Sequence, residues 1–215
     1  REAKLKTGLY TSPHLLRFNE RIRVNGVPIS DEDIIRFVKR NRDSFDDIPV
    51  TFFEATTALA FWYFKKSSVD IAVIETGLGG RLDSTNVLSP DLTIITPIAL
   101  DHQRLLGRNL REISSEKGGI IKYKIPVVIA PQDQDVAHVL QEISSQNKSP
   151  CYFVKSPHIL KTDWKKMETH FRLNNSTYTT PFLGRHQAVN ATTAIQSVLT
   201  YDVTISPTII KKGMD

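Results

Sequence analysis

Short apolar runs along the chain alternate with longer segments in which apolar residues recur at helical spacing. Three runs are rich in β-branched residues, a pattern typical of strands buried on both faces of a parallel sheet: residues 71–74, 91–98 and 126–131. Helices are predicted in five segments: residues 31–41, 51–66, 109–121, 135–146 and 184–201. Residues 51–66 are apolar on most faces, which predicts a buried helix. Strands that alternate with helices favour an α/β fold with a mostly parallel, doubly wound, right-handed sheet.

Two stretches depart from this pattern and predict antiparallel pairing. Residues 21–29 alternate around Asn25-Gly26, a dipeptide that favours a type I′ hairpin turn. Residues 171–182 predict a twisted antiparallel pair around Asn174-Asn175, which makes a small antiparallel excursion near residues 165–182. Because the sequence shows no internal repeat and no low-complexity tract, one α/β architecture accounts for most of its length.

Composition is ordinary for a globular protein, but the charge favours certain ligands. The 215 residues are 40% hydrophobic and 24% charged, and they can bury one good core, or one domain and part of another. A formal net charge of +5 and a pI near 9.3 favour an anionic ligand such as a nucleotide or a polycarboxylate. Because the basic residues are spread out rather than clustered with aromatic residues, we expect no nucleic-acid partner.

Cysteine content and the length of the apolar runs bear on the cellular compartment. Cys151 is the single cysteine, which excludes an internal disulfide and fits a reducing cytoplasm. No apolar run is long enough to span a bilayer and the start has no signal-peptide pattern, so we expect a cytoplasmic protein with no membrane partner. We also expect a monomer. The first residues, REAKLKTG, resemble the end of a helix without an initiating Met, and we therefore expect a fragment of a longer protein.

The most informative stretch is VDIAVIETGLGGRLDSTN, in which an apolar run ends in Glu75 and opens into a glycine-rich loop. In open α/β sheets ligands bind beyond the carboxyl ends of the strands, which makes Glu75 a metal-ligand or catalytic candidate. His102 follows the next predicted strand along the chain. If the two strands are parallel neighbours, both side chains face one crevice, although a structural role for His102 is about as well supported.

Three other positions have both a functional and a structural interpretation. Pro13 biases Ser12 away from helix and presents its hydroxyl on a loop, but a plain turn explains the same residues. Lys117 lies in the last turn of a predicted helix, where a cation interacts favourably with the helix dipole, so a structural role also explains it. Phe52 and Phe53 lie at the entry to a predicted buried helix, where a flat aromatic ligand can stack on them.

Seven motifs, in order from residue 8 to about residue 196, closely resemble one enzyme family. They are YTSPHL (10–15), NERIRVNGVPIS (19–30), TFFEATTALAF (51–61), ETGLGGRLDSTN (75–86), LDHQRLLG (100–107), EKGGIIK (116–122) and LGRHQAVNATTAI (183–195). The family is that of folylpolyglutamate and dihydrofolate synthases, within the Mur ligase superfamily. The resemblance implies the Mur ligase central domain, a P-loop NTPase-like fold.

The resemblance also implies an activity, that of an ATP-dependent ligase which adds L-glutamate to dihydropteroate or to folylpolyglutamate. In that family ATP phosphorylates the acceptor carboxylate, and the amine of glutamate then attacks the acyl phosphate. The implied partners are therefore small molecules: ATP, L-glutamate, and dihydropteroate or a folate. Phosphoryl transfer between two anions needs charge neutralisation and close positioning.

Metal-binding and catalytic residues carry over by motif. Ser12, Glu75 and His102 match the family's magnesium ligands, and His102 is also a catalytic candidate. Oxygen ligands suit Mg²⁺, whereas the imidazole is an uncommon Mg²⁺ ligand and admits Mn²⁺ as well. Lys117 matches a catalytic lysine that is carbamylated in the family, a change that turns a cation into an anionic ligand.

Substrate-binding residues carry over in the same way. Two segments match pterin contacts, and together they comprise Thr51, Phe52, Phe53, Glu54, Leu82, Asp83 and Ser84. Asn190 matches a residue that contacts adenine, and an amide can serve that ring as donor and as acceptor. His186 in the same motif is expected to order the start of the helix rather than to perform chemistry.

The sequence also departs from the family pattern. Members carry a glycine-rich phosphate-binding loop before the YTSPHL segment and a smaller C-terminal domain, and neither occurs in these residues. We therefore expect residues 1–215 to be an incomplete central ligase domain that is inactive alone. Gly118 stands where alanine is usual, a change that is expected to loosen the end of its helix.

Competing functions differ in how well they fit. A nicotinamide-dependent oxidoreductase fits poorly, because TGLGGR lacks the third glycine of the dinucleotide fingerprint. A cell-wall precursor ligase is disfavoured only by the resemblance of the TFFE and GRLDSTN segments to pterin-binding ones. A non-catalytic fragment that binds a pterin or a partner protein stays open. The sequence also leaves open whether the acceptor is dihydropteroate, a polyglutamylated folate or both.

Overall fold

The structure is a computed structural model that describes residues 1–214. The chain divides into two compact units. The first, here called the N-terminal unit, comprises Arg1 and Ala3–Leu88, and the second, the C-terminal unit, comprises Glu2 and the chain from Ser89 onward. The N-terminal unit has one sheet and one buried apolar cluster, and the C-terminal unit has two of each, so each unit is described by itself.

A four-stranded mixed sheet forms the centre of the N-terminal unit. Its strands are β1 (Thr7–Tyr10), β2 (Ile22–Val24), β3 (Val27–Pro28) and β4 (Ile71–Ile74), in the spatial order β3-β2-β1-β4. β1 pairs with β4 in parallel and with β2 antiparallel. The predicted hairpin turn between β2 and β3 is confirmed, because Asn25 (φ 51°) and Gly26 (φ 86°) both adopt the positive φ that a type I′ turn requires.

The strand predicted at residues 71–74 is confirmed as β4, but the prediction that it is buried on both faces is wrong. Val73 is 49% exposed and Ala72 is also exposed. β4 lies at the edge of its sheet and has β1 as its only partner in the described sheets. The β-branched run therefore reports strand propensity correctly, whereas burial depends on neighbours that the run does not specify.

Two helices cover this sheet, α1 (Asp31–Asp47) and α2 (Phe52–Lys66). Ser30 caps α1, since its hydroxyl accepts the Asp33 N–H at 3.2 Å. The apolar face of each helix packs on one side of the sheet and forms a core with these buried members: Tyr10, Ile22, Ile29, Phe37, Leu59, Ala60 and Phe64. This core fixes the position of α2, and with it the predicted pterin segment, against β1.

A three-stranded parallel sheet organises the first part of the C-terminal unit. Its strands are β5 (Thr93–Ile95), β6 (Val127–Ile129) and β7 (Cys151–Phe153), in that spatial order. The helices are α3 (Gln103–Leu106), α4 (Leu110–Gly118) and α5 (Gln134–Gln146). The strand predicted at residues 91–98 is shorter than expected. Pro97 lacks a backbone N–H, so it cannot extend the ladder beyond Ile95.

An antiparallel sheet follows, and it is larger than the predicted excursion near residues 165–182. Its strands are β8 (His158–Asp163), β9 (Glu168–Leu173) and β10 (Ser176–Thr180), in the spatial order β10-β9-β8. β8 was not predicted, because its side chains are mostly exposed or half-buried and give no alternating pattern. The helices α6 (Arg185–Tyr201) and α7 (Pro207–Met214) share an apolar cluster with β9 and β10.

The α/β fold class is confirmed, with parallel ladders between β1 and β4, β5 and β6, and β6 and β7. The antiparallel share is larger than expected, and β4 and β5 belong to different sheets rather than pairing as parallel neighbours. Among residues 1–214, no helix has both the length and the apolar character needed to cross a bilayer.

Candidate functional site

The carboxyl ends of β1 and β4 bring two predicted metal ligands together. The strands run in parallel with Tyr10 opposite Ile74, and the Glu75 N–H donates to the Tyr10 carbonyl at 2.9 Å. Just beyond the strands, the Ser12 N–H donates to Oε2 of Glu75 at 2.7 Å. The edge of the sheet at which ligands bind in α/β proteins therefore holds a hydroxyl and a carboxylate side by side.

This pair offers oxygen ligands to a divalent cation. Oε1 of Glu75 and the Ser12 hydroxyl make no hydrogen bond within residues 1–214, and both oxygens suit a hard cation such as Mg²⁺. Two oxygens are fewer than such a cation requires. The described chain also contains no group of three or more His, Cys, Asp or Glu side chains that could hold a metal. Ser12 and Glu75 thus fit as part of a metal site.

Asp83 fixes the shape of the glycine-rich loop that follows Glu75. Its Oδ2 accepts the Gly77 N–H at 3.0 Å and the Leu78 N–H at 2.8 Å. Its Oδ1 accepts the Thr85 N–H at 2.9 Å and thereby caps a 3₁₀ helix over Ser84–Val87. One carboxylate therefore satisfies backbone donors at both ends of the loop.

The glycine loop packs directly on the start of α2. A Cβ atom at Gly77 would lie 2.2 Å from Cζ of Phe53, so only glycine allows this approach. On the other side of the loop, the Ser84 and Thr57 hydroxyls are hydrogen-bonded at 2.8 Å, and Thr57 contacts the Tyr10 hydroxyl at 3.3 Å. These contacts join β1, α2 and the loop into one assembly.

A reciprocal capping box begins α2. The Thr51 hydroxyl accepts the Glu54 N–H at 3.2 Å, while Oε2 of Glu54 accepts the Thr51 N–H at 2.7 Å. Hydrogen bonds from the Thr51 hydroxyl and N–H lower the pKa of the Glu54 carboxyl below its ordinary value of 4.5. Two of the predicted pterin contacts thus have a structural role that the spacing T-x-x-E could have predicted.

Acid is expected to loosen the start of α2 through Glu54. Because the folded state lowers the pKa of Glu54, its contribution to stability is complete above the ordinary value of 4.5 and is lost as the pH falls through the lowered pKa. Amide hydrogen exchange at residues 51–54, followed between pH 6 and pH 3, is expected to accelerate at the acid end after correction for intrinsic rates. Glu54→Gln is expected to remove this pH dependence, and an unchanged profile in the variant would contradict the assignment.

Two apolar side chains of the predicted pterin segments face solvent. Phe52 at the start of α2 is 64% exposed, and Leu82 in the glycine loop is 79% exposed. Burying a large apolar side chain is favourable, so each of these exposed side chains offers an area that a flat apolar group can cover. Phe53, by contrast, is half-buried against Gly77 and Tyr10.

A buried arginine supports Phe52, and the sequence interpretation did not include it. Arg21 is 9% exposed, its Nε donates to Nδ1 of His14 at 2.8 Å, and its guanidinium lies 5.5 Å from the centroid of the Phe52 ring. The edge of Phe18 also faces this ring. Because an arginine beside a strand carries no signal of burial in the hydrophobic pattern, only tertiary packing reveals it.

His102 in the C-terminal unit lies at the start of α3 rather than directly at the end of β5. Its backbone has φ 47°, a left-handed conformation that is uncommon outside glycine. Its N–H donates to Oδ1 of Asp101 at 2.7 Å, and its Nε2 lies 3.5 Å from Oδ2 of the same carboxylate. A carboxylate on one ring nitrogen orients the imidazole and leaves Nδ1 available to a ligand.

Lys117 occupies the last turn of α4 as predicted and is half-buried. Its amine makes no hydrogen bond or ion pair within residues 1–214. The expectation that Gly118 loosens this helix end stays a prediction. A Cβ at Gly118 would lie 2.6 Å from Cδ1 of Ile143, so glycine allows α4 and α5 to pack closely.

Asn190 lines a cavity of about 470 Å³ in the C-terminal unit. The other lining residues are Pro97, Pro131, Arg185, His186 and Val189. Asn190 lies in the second turn of α6, with its Nδ2 at 3.4 Å from Oε1 of Gln187. The cavity combines three apolar residues with the amide of Asn190, the guanidinium of Arg185 and the imidazole of His186, and such a mixture of apolar walls and a few polar groups is typical of ligand sites. His186 lines this cavity, and its ring packs on the N-cap of α6, since a Cβ at Gly184 would lie 2.9 Å from Cε1 of His186.

Comparison with known proteins relates these sites to a family. The Mur ligase middle domain matches residues 42–198, which is most of the chain. The chain belongs to the Mur ligase middle-domain family. Over 98% of its length, this Mur ligase domain is 36% identical to the folylpolyglutamate synthase of Lacticaseibacillus casei. It is 44% identical, over 69% of its length, to the dihydrofolate synthase/folylpolyglutamate synthase of Bacillus subtilis.

The fold of this Mur ligase domain also matches solved structures. A folylpolyglutamate synthase solved as a complex with AMPPCP and folate superposes with a TM-score of 0.89 at 35% identity, and the match covers 99% of this chain and 56% of that one. The domain spans 53% of the Lacticaseibacillus casei protein and 36% of the Bacillus subtilis protein. It therefore spans about half the length, or less, of these relatives.

The structure groups the predicted site residues of the Mur ligase domain by unit. The N-terminal unit brings together Ser12 and Glu75 and, beside them, the two predicted pterin segments. His102, Lys117 and Asn190 lie in the C-terminal unit. Each assigned role stays a prediction.

Removing the Asp83 carboxylate is expected to open the glycine loop of this Mur ligase domain. Asp83→Ala leaves the N–H groups of Gly77, Leu78 and Thr85 without their acceptor, at a cost of about 2–4 kcal/mol in the free energy of unfolding. Asp83→Asn keeps one acceptor oxygen and is expected to lose about half of that. Urea titration measures both, with exposed Asp46→Ala as the control, and equal stabilities of all three variants would contradict the prediction.

Proposed function

We propose that this Mur ligase domain belongs to an ATP-dependent ligase that joins L-glutamate to the carboxylate of dihydropteroate or of a folylpolyglutamate through an acyl phosphate. The observation that carries the proposal is the Ser12 and Glu75 pair at the ends of two parallel strands, beside a loop closed by Asp83. The likeness to a folylpolyglutamate synthase solved with AMPPCP, an ATP analogue, and folate supports the choice of substrates.

The chain would hold a divalent cation through the Ser12 hydroxyl and the Glu75 carboxylate, with His102 as a further ligand. Magnesium, or manganese in its place, would supply positive charge that neutralises the phosphates of ATP and the acceptor carboxylate. The Ser12 N–H holds one oxygen of Glu75 and so orients the other, which makes no hydrogen bond within the described residues. His102 is oriented in turn by Asp101.

The pterin ring would bind on the surface formed by Phe52 and Leu82. Both side chains are exposed and apolar, and Arg21 supports Phe52 from its buried side. The remaining predicted contacts act on the shape of this surface. Thr51 and Glu54 fix the start of α2, while Phe53, Asp83 and Ser84 hold the glycine loop against it.

Lys117 would be carbamylated and catalytic together with His102. The neutral amine attacks carbon dioxide, a C–N bond forms, and the amine proton leaves to solvent, which leaves an anionic carbamate. A half-buried amine that makes no hydrogen bond or ion pair within residues 1–214 is open to that reaction. Mass spectrometry under native conditions would show the added mass of carbon dioxide, and its absence at saturating bicarbonate would contradict the assignment.

Adenine would bind in the cavity beside Asn190. Pro97, Pro131 and Val189 offer apolar walls to the ring, and the Asn190 amide offers a donor and an acceptor to its edge. The whole chain, residues 1–215, would then form part of the central domain of the ligase. We further propose that the ligase is a cytoplasmic monomer that acts on small molecules.

Activity is tested on the full-length product of the gene that encodes this chain. We expect ADP to form only when dihydropteroate or a folate and L-glutamate are both present, with a product heavier than the acceptor by one glutamyl residue. Comparison of dihydropteroate with a monoglutamylated folate identifies the acceptor. Pterin binding in calorimetry without turnover would favour a non-catalytic binder, and turnover of a UDP-linked cell-wall precursor would favour the other ligase class.

A further inference from the structure

The antiparallel sheet of β8, β9 and β10 in the C-terminal unit has one polar face. On its inner face, Ile159, Phe171 and Tyr178 lie opposite one another across the three strands and pack in the apolar cluster with α6 and α7. The other face, here called the outer face, consists of His158, Lys161, Asp163, Glu168, His170, Arg172, Thr177 and Thr179. None of these residues has a role in the proposed metal, pterin or adenine sites.

An irregularity in β8 determines which side chains lie on the outer face. The register of β8 against β9 shifts between Ile159 and Lys161, so Leu160 is an extra residue in β8. Without the shift, Lys161 would face away from His158, because residues three apart in a regular strand point to opposite faces. The bulge therefore turns Lys161 onto the outer face, where it lies opposite His170.

Six hydrogen-bonding side chains form two rows across the outer face. The first row is His158, Arg172 and Thr177, and the second row is Lys161, His170 and Thr179. Neighbouring strands are about 4.8 Å apart and residues two apart in a strand are about 6.8 Å apart, so the rows cover an area of about 10 by 7 Å. In the second row, the Thr179 hydroxyl lies 3.1 Å from Nδ1 of His170. A small anion can span this area.

Two carboxylates lie at one end of the outer face, beside the second row. Oδ2 of Asp163 accepts the Lys161 ammonium at 2.7 Å, and this hydrogen bond lowers the pKa of Asp163 to about 2. Oε2 of Glu168 lies 3.4 Å from Nε2 of His170. The charged groups of the second row therefore already have partners.

The first row carries the unpaired positive charge of the outer face. Within residues 1–214, the Arg172 guanidinium makes no hydrogen bond and has no carboxylate within 4.0 Å, and the same holds for the His158 ring. Both side chains are exposed. Arg172 and Glu168 are four residues apart on β9, which is about 14 Å in an extended strand. An anion can therefore approach Arg172 without displacing a carboxylate.

The net charge of the outer face depends on pH through its two imidazoles. Its fixed charges sum to zero: Lys161, Arg172, Asp163 and Glu168. β10 adds no titratable group to this face, and Lys165 and Lys166 lie in the turn beyond Asp163. An imidazole gains a proton as the pH falls below about 6.5, so His158 and His170 add up to two positive charges in acid. Anions are therefore expected to bind more tightly at lower pH.

We propose that the outer face binds a tetrahedral oxyanion of the phosphate type, held by Arg172, His158 and Thr177. A phosphate ester has three terminal oxygens, so it can accept from a guanidinium, an imidazole and a hydroxyl at the same time, whereas a carboxylate has two oxygens. The planar fork of arginine binds phosphate through two parallel N–H groups. The second row adds positive charge at one side of the anion when His170 is protonated.

The test follows the histidine ring signals of the full-length gene product by NMR during titration with sodium sulfate, an oxyanion whose charge is constant between pH 6 and pH 8. At pH 6 we expect the His158 and His170 signals to shift saturably, with a Kd of about 1 mM. We expect Kd to rise about tenfold at pH 8, where the imidazoles are neutral, and about tenfold in Arg172→Gln at pH 6. Arg42→Gln on the exposed surface of α1 is the matched control and should leave Kd unchanged.

A second titration distinguishes the sources of the phosphate group. Orthophosphate is compared with glycerol 3-phosphate at pH 6. Equal affinities support an ester-linked phosphate as the ligand, and binding of orthophosphate alone supports free phosphate. The measurement needs no turnover, so its outcome is independent of the proposed ligase function.

Three outcomes would overturn the proposal. Equal shifts with sodium chloride at the same ionic strength would reduce the effect to charge screening. A Kd for sulfate that is the same in Arg172→Gln as in the wild type would remove the guanidinium from the site. A Kd that is the same at pH 8 as at pH 6 would remove the two imidazoles.

Discussion

Glutamine in place of Glu75 is expected to reduce glutamate ligation by the full-length gene product by about a thousandfold, the scale of effect seen when charge stabilisation at a metal site is removed. The variant side chain keeps an oxygen that can accept the Ser12 N–H, so the local hydrogen bond survives. What disappears is the negative charge. Initial rates at saturating magnesium measure the loss, and the magnesium dependence of the residual rate should become weaker.

Stability separates a chemical role of Glu75 from a structural one. Glu75 is exposed, and the substitution should change the free energy of unfolding by less than about 1 kcal/mol. Glu32→Gln on the exposed surface of α1 is the matched control, with full activity expected. Full activity of Glu75→Gln would remove the metal site from the proposed mechanism, and a large loss of stability would assign Glu75 a structural role instead.

Alanine in place of Gly77 is expected to destabilise the N-terminal unit by about 3 kcal/mol. The added methyl group would lie 2.2 Å from Cζ of Phe53 and within 2.7 Å of two further ring atoms, far inside van der Waals contact. Either the ring or the loop must then move, and both belong to the proposed pterin surface. We therefore expect KM for the pterin acceptor to rise, whereas KM for ATP stays constant.

Two further variants test whether the ring is the cause. Phe53→Leu together with Gly77→Ala should recover part of the lost stability, because the smaller side chain vacates the space that the methyl group needs. Gly213→Ala in α7 is the control, since its Cβ would come no closer than 3.9 Å to another residue, and it should stabilise by about 0.5–1 kcal/mol. Additive effects of the Gly77 and Phe53 substitutions would contradict the contact.

The sequence alone predicted the elements whose structure depends on a few neighbouring residues. Asn25-Gly26 predicted its hairpin, because the turn needs only two residues with positive φ. The run IAVI predicted β4, but its edge position and the exposure of Val73 depend on which strands pair, which no local pattern encodes.

Neighbouring aromatic residues show the same limit within the candidate site. Phe52 and Phe53 are identical in type and adjacent, yet one is exposed and the other packs beneath Gly77. The TFFE motif assigned both residues as pterin contacts. A motif identifies the segment that forms a site, but it does not show which side chains of that segment are exposed and which are buried. Arg21 was missed for a related reason, because its burial depends on His14 and Phe52, which lie on separate segments.

Asp83 has a consequence for how this loop can be re-engineered. The loop keeps its shape through backbone N–H groups bound to one carboxylate, so the side chains at Leu78 and Leu82 contribute little to that shape. Leu82 projects into solvent and can be randomised without unfolding the loop, provided that Asp83 and Gly77 are retained. A library at this single codon would therefore vary acceptor preference on a constant scaffold, and it offers a practical route to ligases for altered pterins.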